Sequence, residues 1–504
     1  MTDKINIFLR QYFLSAILIS GMIQAGLVFA SDDVITRAMS LYERHHYEEA
    51  LRLMRTEGGG MVKAQQPSAN LALGICYLGS ANLYRELHKT ALIIELDYLS
   101  QLGRQKTGAR SRFVELYLGQ AILESGKPIE GADHIRKFAQ KTGNKPDSRN
   151  YSEIELGIAY SQMKQGKKAD QIWSNLDLKV PENKAALAGA YAVAGKNKFK
   201  PADMADAALA EVQKLKKIPD ARMVRDLLRA YSQIGATDKA LNLLDTYDIN
   251  AASHIENLGT SKTIRYYDLS LMKDVASTHL AAAIKYLESA SHDTKLSGTA
   301  AYFLTEAYLQ QGNGEATMTW STNVLTQAKM STAYKDVTKV RQVSAYHLTG
   351  RQDEAQLKLD SLAEKSTTDP LLLAAALQEC IQVKMNCAKI EKIALNAVDN
   401  GEGKKFFSLN AALGKYYLSR KDYSKAVLYM EAGRDKANKN KIEANDPVML
   451  VNLAEAYYRN KKFSENLEIY FELSKQFPLV RQIQEAMQGI YSMEQQSAGE
   501  VKIY

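Results

Sequence analysis

One spacing recurs along this 504-residue chain and restricts what it can fold into. The clearest copy reads Leu156-Gly157-x-x-Tyr160, then Gly166, Ala169, Trp173 and Pro181. Leu227, Tyr231, Gly235, Ala240 and Leu244 keep the spacing, as do Leu413-Gly414-x-x-Tyr417, Tyr423, Ala426 and Met430. Leu453-Ala454-x-x-Tyr457 continues it with Phe463, Tyr470 and Pro478, and Tyr346, Gly350, Ala355 and Leu359 give a weaker copy. Partial copies stand at Tyr47 to Ala50, Leu73-Gly74-x-x-Tyr77, Leu118-Gly119, and Leu304-x-x-x-Tyr308 with Gly312. One such match means little, because Leu, Ala and Tyr are common. Several at steps of roughly 34–40 residues indicate an internal repeat.

The residue types explain the spacing. A small residue on a first helix and an alanine on a second let two helices approach closely. Tyr160 and Trp173 fill the space beside that contact, Gly166 permits the turn, and Pro181 discourages helix continuation. One pair cannot bury its own apolar faces, so neighbours must stack into a continuous core. The pattern closely resembles the tetratricopeptide repeat family, from about Ser31 to Pro478. The resemblance implies an all-α fold, a right-handed α-solenoid of helix–turn–helix repeats. Composition agrees. Prolines are few, good helix formers are many, and no long apolar–polar alternation supports a sheet.

Departures from the pattern set the expected organisation. Residues Ala81 to Leu102 read as one long helix without the expected turn, and Gly195 to Pro201 fits only loosely. Residues 248–263 lack the pattern and contain Asn, Gly and Ser. The chain is therefore expected to carry an N-terminal array at 31–247, a linker at 248–263 and a C-terminal array at 264–478. Residues 479–504 read as a capping helix and tail, with Ile483, Met487 and Ile490 inward.

The N-terminus reads as an export signal. Lys4 and Arg10 precede an uncharged apolar run from Tyr12 to Phe29, and Val28-Phe29-Ala30 fits a cleavage site before Ser31. The expected signal peptide is 1–30 and the expected location periplasmic; an uncleaved anchor is the competing reading, since the run is slightly long. The cysteines are Cys76, Cys380 and Cys387, too few for a disulfide framework. On a continuous helix Cys380 and Cys387 would lie roughly 10 Å apart, beyond bridging distance. A turn at Lys384 to Asn386 would bring them together; otherwise both are buried thiols.

Catalytic signatures are missing. The eight histidines include no His-Glu-x-x-His, and adjacent His45-His46 would point about 100° apart on a helix, poor for chelation. No Gly-x-Ser-x-Gly elbow or Cys-x-x-Cys occurs, and Gly58-Gly59-Gly60 lacks the Gly-Lys-Ser/Thr ending that cradles phosphate. We expect no enzyme activity, no cofactor and no metal. The formal charge is +8, but the lysines are scattered, as at Lys214 to Lys217 and Lys436 to Lys441. Nucleic acid is therefore not an expected partner.

Arrays of the family generally bind peptides, helices or extended chains in a groove lined by each unit's first helix. Carried onto this sequence, that points to Arg222, Arg225 and Arg229, which fall within about a 60° arc of one helix, opposite Val224, Leu228 and Tyr231. Three guanidiniums on one ridge suit anionic groups, and Asp226 neutralises part of it. Lys415, Glu455, Tyr458 and Arg459 are groove candidates in the C-terminal copies, with Tyr302 and Glu306 on the Leu304 unit. Tyr457 fits an inward role, which leaves Tyr458 on the groove side or packed on the neighbouring unit. The leading expectation is a scaffold for protein or peptide partners in an envelope assembly or secretion apparatus, meeting the membrane only through them. The alternatives are a component of exopolysaccharide export that contacts an anionic polysaccharide, and a chaperone for outer-membrane proteins.

Overall fold

The structure is a computed structural model. It describes residues 33–57, 66–104, 110–142, 146–217, 219, 221–247, 254–256, 264–266, 270–365, 369–383, 385–400, 407–437, 446–477 and 480–500. The expected signal peptide, the triglycine, Pro478, the tail and most of the 248–263 break lie outside these residues.

Helix dominates the chain. α1 (Asp33–Glu43), α2 (Tyr47–Thr56) and α3 (Gln66–Arg104) come first. Next are α4 (Arg110–Glu124), α5 (Pro128–Thr142), α6 (Pro146–Gln162), α7 (Gly166–Trp173) and α8 (Pro181–Val193). After them come α9 (Pro201–Lys214), α10 (Ala221–Gln233) and α11 (Thr237–Thr246). Two three-residue strands succeed them, β1 (His254–Glu256) and β2 (Ile264–Tyr266), antiparallel with Ile255 opposite Arg265. No apolar–polar alternation announces this short hairpin, and sheet was not expected there. Then come α12 (Ser270–Ser291), α13 (Ser297–Gln311), α14 (Gly314–Thr326), α15 (Thr332–Leu348), α16 (Gln352–Lys365) and α17 (Pro370–Val383). The last are α18 (Ala388–Asn400), α19 (Phe407–Ser419), α20 (Tyr423–Ala437), α21 (Pro447–Arg459), α22 (Phe463–Ser474) and α23 (Val480–Glu500).

The compact units do not match the expected division into two consecutive arrays. One unit joins the chain up to Leu83 with His279–Ile469; the other joins Tyr84–Thr278 with Tyr470 onward. The cuts fall inside α3, α12 and α22, none of which carries a turn signal at the boundary. In the second unit α4, α6, α8 and α10 each pack on the next but one, as well as on the helix between. In the first unit α13, α15, α17, α19 and α21 do the same. That two-step adjacency is the stacking of paired helices. On α23, Ile483, Met487 and Ile490 are buried and Gln488 is exposed.

Close approach within a pair depends on the small residue. A Cβ on Gly157 of α6 would collide with the indole of Trp173, which is fully buried and donates Nε1–H to the Ile154 carbonyl at 3.2 Å. The turn itself differs from expectation. Gly235 and Gly350 hold positive φ (73° and 79°), as expected, but in the Tyr160 unit that conformation belongs to Lys164 (φ 61°), and Gly166 opens α7. Lys421 and Lys461 occupy the same turn position in the last two copies, with φ of 63° and 59°.

The recurring tyrosine does more than fill space. Its ring is buried while its hydroxyl reaches back to the second helix of the preceding pair. Tyr417 donates to Glu391 at 2.9 Å, Tyr457 to Glu431 at 2.8 Å, and Tyr231 to Asp206 at 2.8 Å. Tyr160 uses the opposite polarity and accepts from Arg136 at 3.1 Å. A cation from the tyrosine's own second helix covers the ring, Lys425 over Tyr417 at 4.8 Å and Lys168 over Tyr160 at 4.1 Å. Each tyrosine thus links consecutive pairs. Tyr457→Phe should lower stability by about 1 kcal/mol. A melting temperature indistinguishable from wild type would show that this hydroxyl carries no net stability.

Cys380 and Cys387 are joined in a disulfide, with Cα atoms 5.9 Å apart and both side chains buried. Helix α17 stops at Val383 and α18 starts at Ala388, so the chain turns between the cysteines as bridging requires. Cys76 is a free, buried thiol. Alkylation of denatured, unreduced protein should modify Cys76 alone, and all three cysteines after reduction. Three modified cysteines without reduction would contradict the bridge.

Candidate functional site

In the second unit, charged side chains of α3, α4, α10 and α12 pair with one another. Helix α10 supplies the three arginines, and the structure separates their environments. The Arg222 guanidinium stacks on Tyr151 of α6, 3.6 Å from the ring centroid. Arg225 is buried and donates Nε–H and Nη2–H to Asp226 Oδ1 at 2.9 and 2.6 Å. Arg229 lies 3.7 Å from Asp274 of α12, whose other oxygen accepts from Ser232 at 3.2 Å. Gly189 of α8 makes room for this, because a Cβ there would sit 3.0 Å from the Asp226 carbonyl oxygen.

Carboxylates from other helices complete the set. Glu124 of α4 is 3.0 Å from Lys273 and 3.7 Å from His88. Burial works against the Glu124 charge, but Lys273, Arg229 and His88 outweigh it and hold its carboxyl below the usual range. Glu155 of α6 is buried and accepts from Gln120 at 2.8 Å. There burial dominates and raises the carboxyl's pKa, with Arg229 and Arg225 offsetting only part. The expected open ridge is therefore a balanced cluster. Asp226 neutralises part of it, as read from the sequence, and Asp274, Glu124 and Glu155 join it from distant positions.

The first unit holds a deeper cluster. Arg341 of α15 is buried and bonded to Glu306 of α13 and to Glu379 of α17. The Ser344 hydroxyl also donates to Glu379. Burial opposes the Arg341 charge, yet Glu306 and Glu379 prevail and strengthen its hold on the proton. Glu379 is fully buried, and burial raises its pKa although Arg341 and Ser344 oppose the shift. Tyr302, expected in a groove, is 2% exposed and packs edge-on to Tyr334 with centroids 4.7 Å apart. Glu306 is occupied by Arg341.

The other candidates lie on α19 and α21. Lys415 is half-buried, and Glu455 sits 3.8 Å from Arg459 one turn away. Tyr458 is 7% exposed and packs against Phe463 of α22 at 5.9 Å between centroids. It does not stand open on a groove. In the pair Tyr457-Tyr458 one ring faces the preceding helices and the other faces its own second helix, so both are covered.

Sequence reasoning missed Arg341, Ser344 and Glu379. A signal was present. Glu379 is the lone charge in the apolar stretch Leu371 to Cys380, and a charge placed there must find a partner. Glu379 should make stability pH-dependent. Its folded pKa is raised, so the folded state binds the proton more tightly than the unfolded state. Stability from this group is present below the ordinary carboxylate value of 4.5 and falls as pH rises from there toward the folded pKa. Wild type should lose stability relative to Glu379→Gln over that interval in urea titrations. A pH-independent difference between the two would contradict the assignment.

No family model and no curated protein matches the sequence. Solved structures do resemble it at low identity. A tetratricopeptide repeat protein from Parabacteroides merdae shares 11% identity, covering 68% of this chain and 99% of that one, with a TM-score of 0.26. Cut9 in the APC/C hetero-tetramer Cut9-Hcn1 shares 12%, covering 95% and 96%, with a TM-score of 0.28. Yeast Tom70 shares 11%, covering 93% and 95%, with a TM-score of 0.31. Scores this low carry no functional weight. The helix pairs themselves, with their small-residue contacts, turns and two-step stacking, define a helical repeat fold of the kind that the tetratricopeptide resemblance implies.

Proposed function

We propose that the chain is an exported, non-catalytic scaffold that docks protein partners of an envelope assembly or secretion apparatus. The observation that carries this is the paired-helix array in each unit, an architecture built to present an extended surface. The N-terminal pattern ending at Val28-Phe29-Ala30 supports export. The Cys380–Cys387 bridge supports it too, because disulfides persist in oxidising compartments. Among the described residues no helix is long and apolar enough to cross a membrane. The anionic-polysaccharide alternative draws no support from the arginines of α10, since Arg225 and Arg229 face carboxylates of their own chain.

Crosslinking with mass spectrometry in the native host tests the proposal. Crosslinks from this chain should run to envelope proteins, and N-terminal sequencing of the mature chain should begin at Ser31. Crosslinks only to cytoplasmic proteins, or none, would refute it.

A further inference from the structure

The charges of the clusters above are engaged internally, whereas several lysines on one turn edge of the second unit have no carboxylate partner among the described residues. The α6–α7 turn carries Lys164, the first turn of α7 carries Lys167 and Lys168, and the α8–α9 connection carries Lys196, Lys198 and Lys200. The two loops form one platform. Lys196 Nζ donates to the Gly166 carbonyl at 3.3 Å and pairs with Asp170. Around this tie Lys164, Lys167, Lys198 and Lys200 are exposed. Among the described residues no carboxylate lies within ion-pair distance of Lys164, Lys167 or Lys198, and Lys200 has only Asp203 at 3.9 Å.

An aromatic ladder ends at the same place. Buried Trp173 meets half-buried Tyr191 edge-on at 5.2 Å, and Tyr191 stacks on Phe199 at 4.5 Å. Phe199 is 37% exposed, with the Lys198 ammonium 4.8 Å from its centroid. A large ring held at the surface by stacking, with exposed cations around it, fits an interface anchor.

The geometry points to this edge as the docking surface for an acidic, aromatic-containing segment of a partner protein. Carboxylates would meet the lysines, and an apolar or aromatic side chain would cover Phe199. The inference rests on the protein-docking proposal above and names its surface and the chemistry of the partner.

The full mature chain should bind a glutamate–tyrosine copolymer in fluorescence anisotropy, with affinity falling steeply as salt rises. Lys164→Glu combined with Lys198→Glu should weaken binding on the order of tenfold or more. Phe199→Ala should reduce the copolymer's affinity to that of polyglutamate. Lys164→Gly should raise the melting temperature and still weaken binding, so that misfolding cannot explain the loss. Lys214→Glu, exposed at the far end of α9, should leave binding unchanged. The inference is overturned if the copolymer does not bind, if the charge reversals have no effect, or if polygalacturonate binds more tightly. Failure here with envelope crosslinks intact would leave the scaffold proposal standing. Copolymer binding without such crosslinks would remove the envelope proposal and keep the edge.

Discussion

A buried guanidinium must be matched by its own chain, and Arg341 is matched twice. It sits on the middle of three stacked helices and is bonded to a carboxylate on each side, Glu306 on α13 and Glu379 on α17. Sliding either neighbour by one residue would leave a charge buried without its partner, at a cost of several kcal/mol. Apolar stacking alone tolerates such shifts more readily, since many Leu and Ala contacts are interchangeable. The ion set therefore fixes the register of α13, α15 and α17. Arg229 of α10 with Asp274 of α12 places the same kind of constraint on the second unit.

The remaining specificity lies between second and first helices. The repeated tyrosines bury a ring and anchor a hydroxyl on the preceding pair, at Tyr231, Tyr417 and Tyr457 alike. Packing thus sets the distance between pairs, and directional bonds set their order. Arg229 and Arg341 on the stacked helices are committed to carboxylates of their own chain.

Much of this was legible in the sequence, because a repeat places the same residue type in the same local environment each time. Gly157 against Trp173, the buried Tyr160, Tyr231, Tyr417 and Tyr457, and the turn at Gly235 and Gly350 come from spacing alone. Spacing misplaced the Tyr160-unit turn, because Gly166 looked like its hinge while Lys164 takes the left-handed backbone. The arginines of α10 were visible as a ridge, but the acids that meet them were not. Asp274 and Glu124 come from helices far along the chain, and local periodicity says nothing about them. The same holds for the compact units, which join distant stretches through long helices that carry no break. Tyr458 failed for a simpler reason. Helical angle placed it off the Tyr457 side, and the second helix of its own pair covers that side too.

Charges on the stacked faces serve the fold and are held by one another. Equilibrium unfolding of Arg341→Met, Glu379→Leu and the double variant tests this most directly. Arg341→Met alone should cost about 3–5 kcal/mol, because it leaves two carboxylates without their cation, and adding Glu379→Leu should recover the part of that loss due to Glu379 while Glu306 stays unpaired. If the double variant is destabilised by the sum of the single effects, the pair does not act as a unit and these charges do not hold one another.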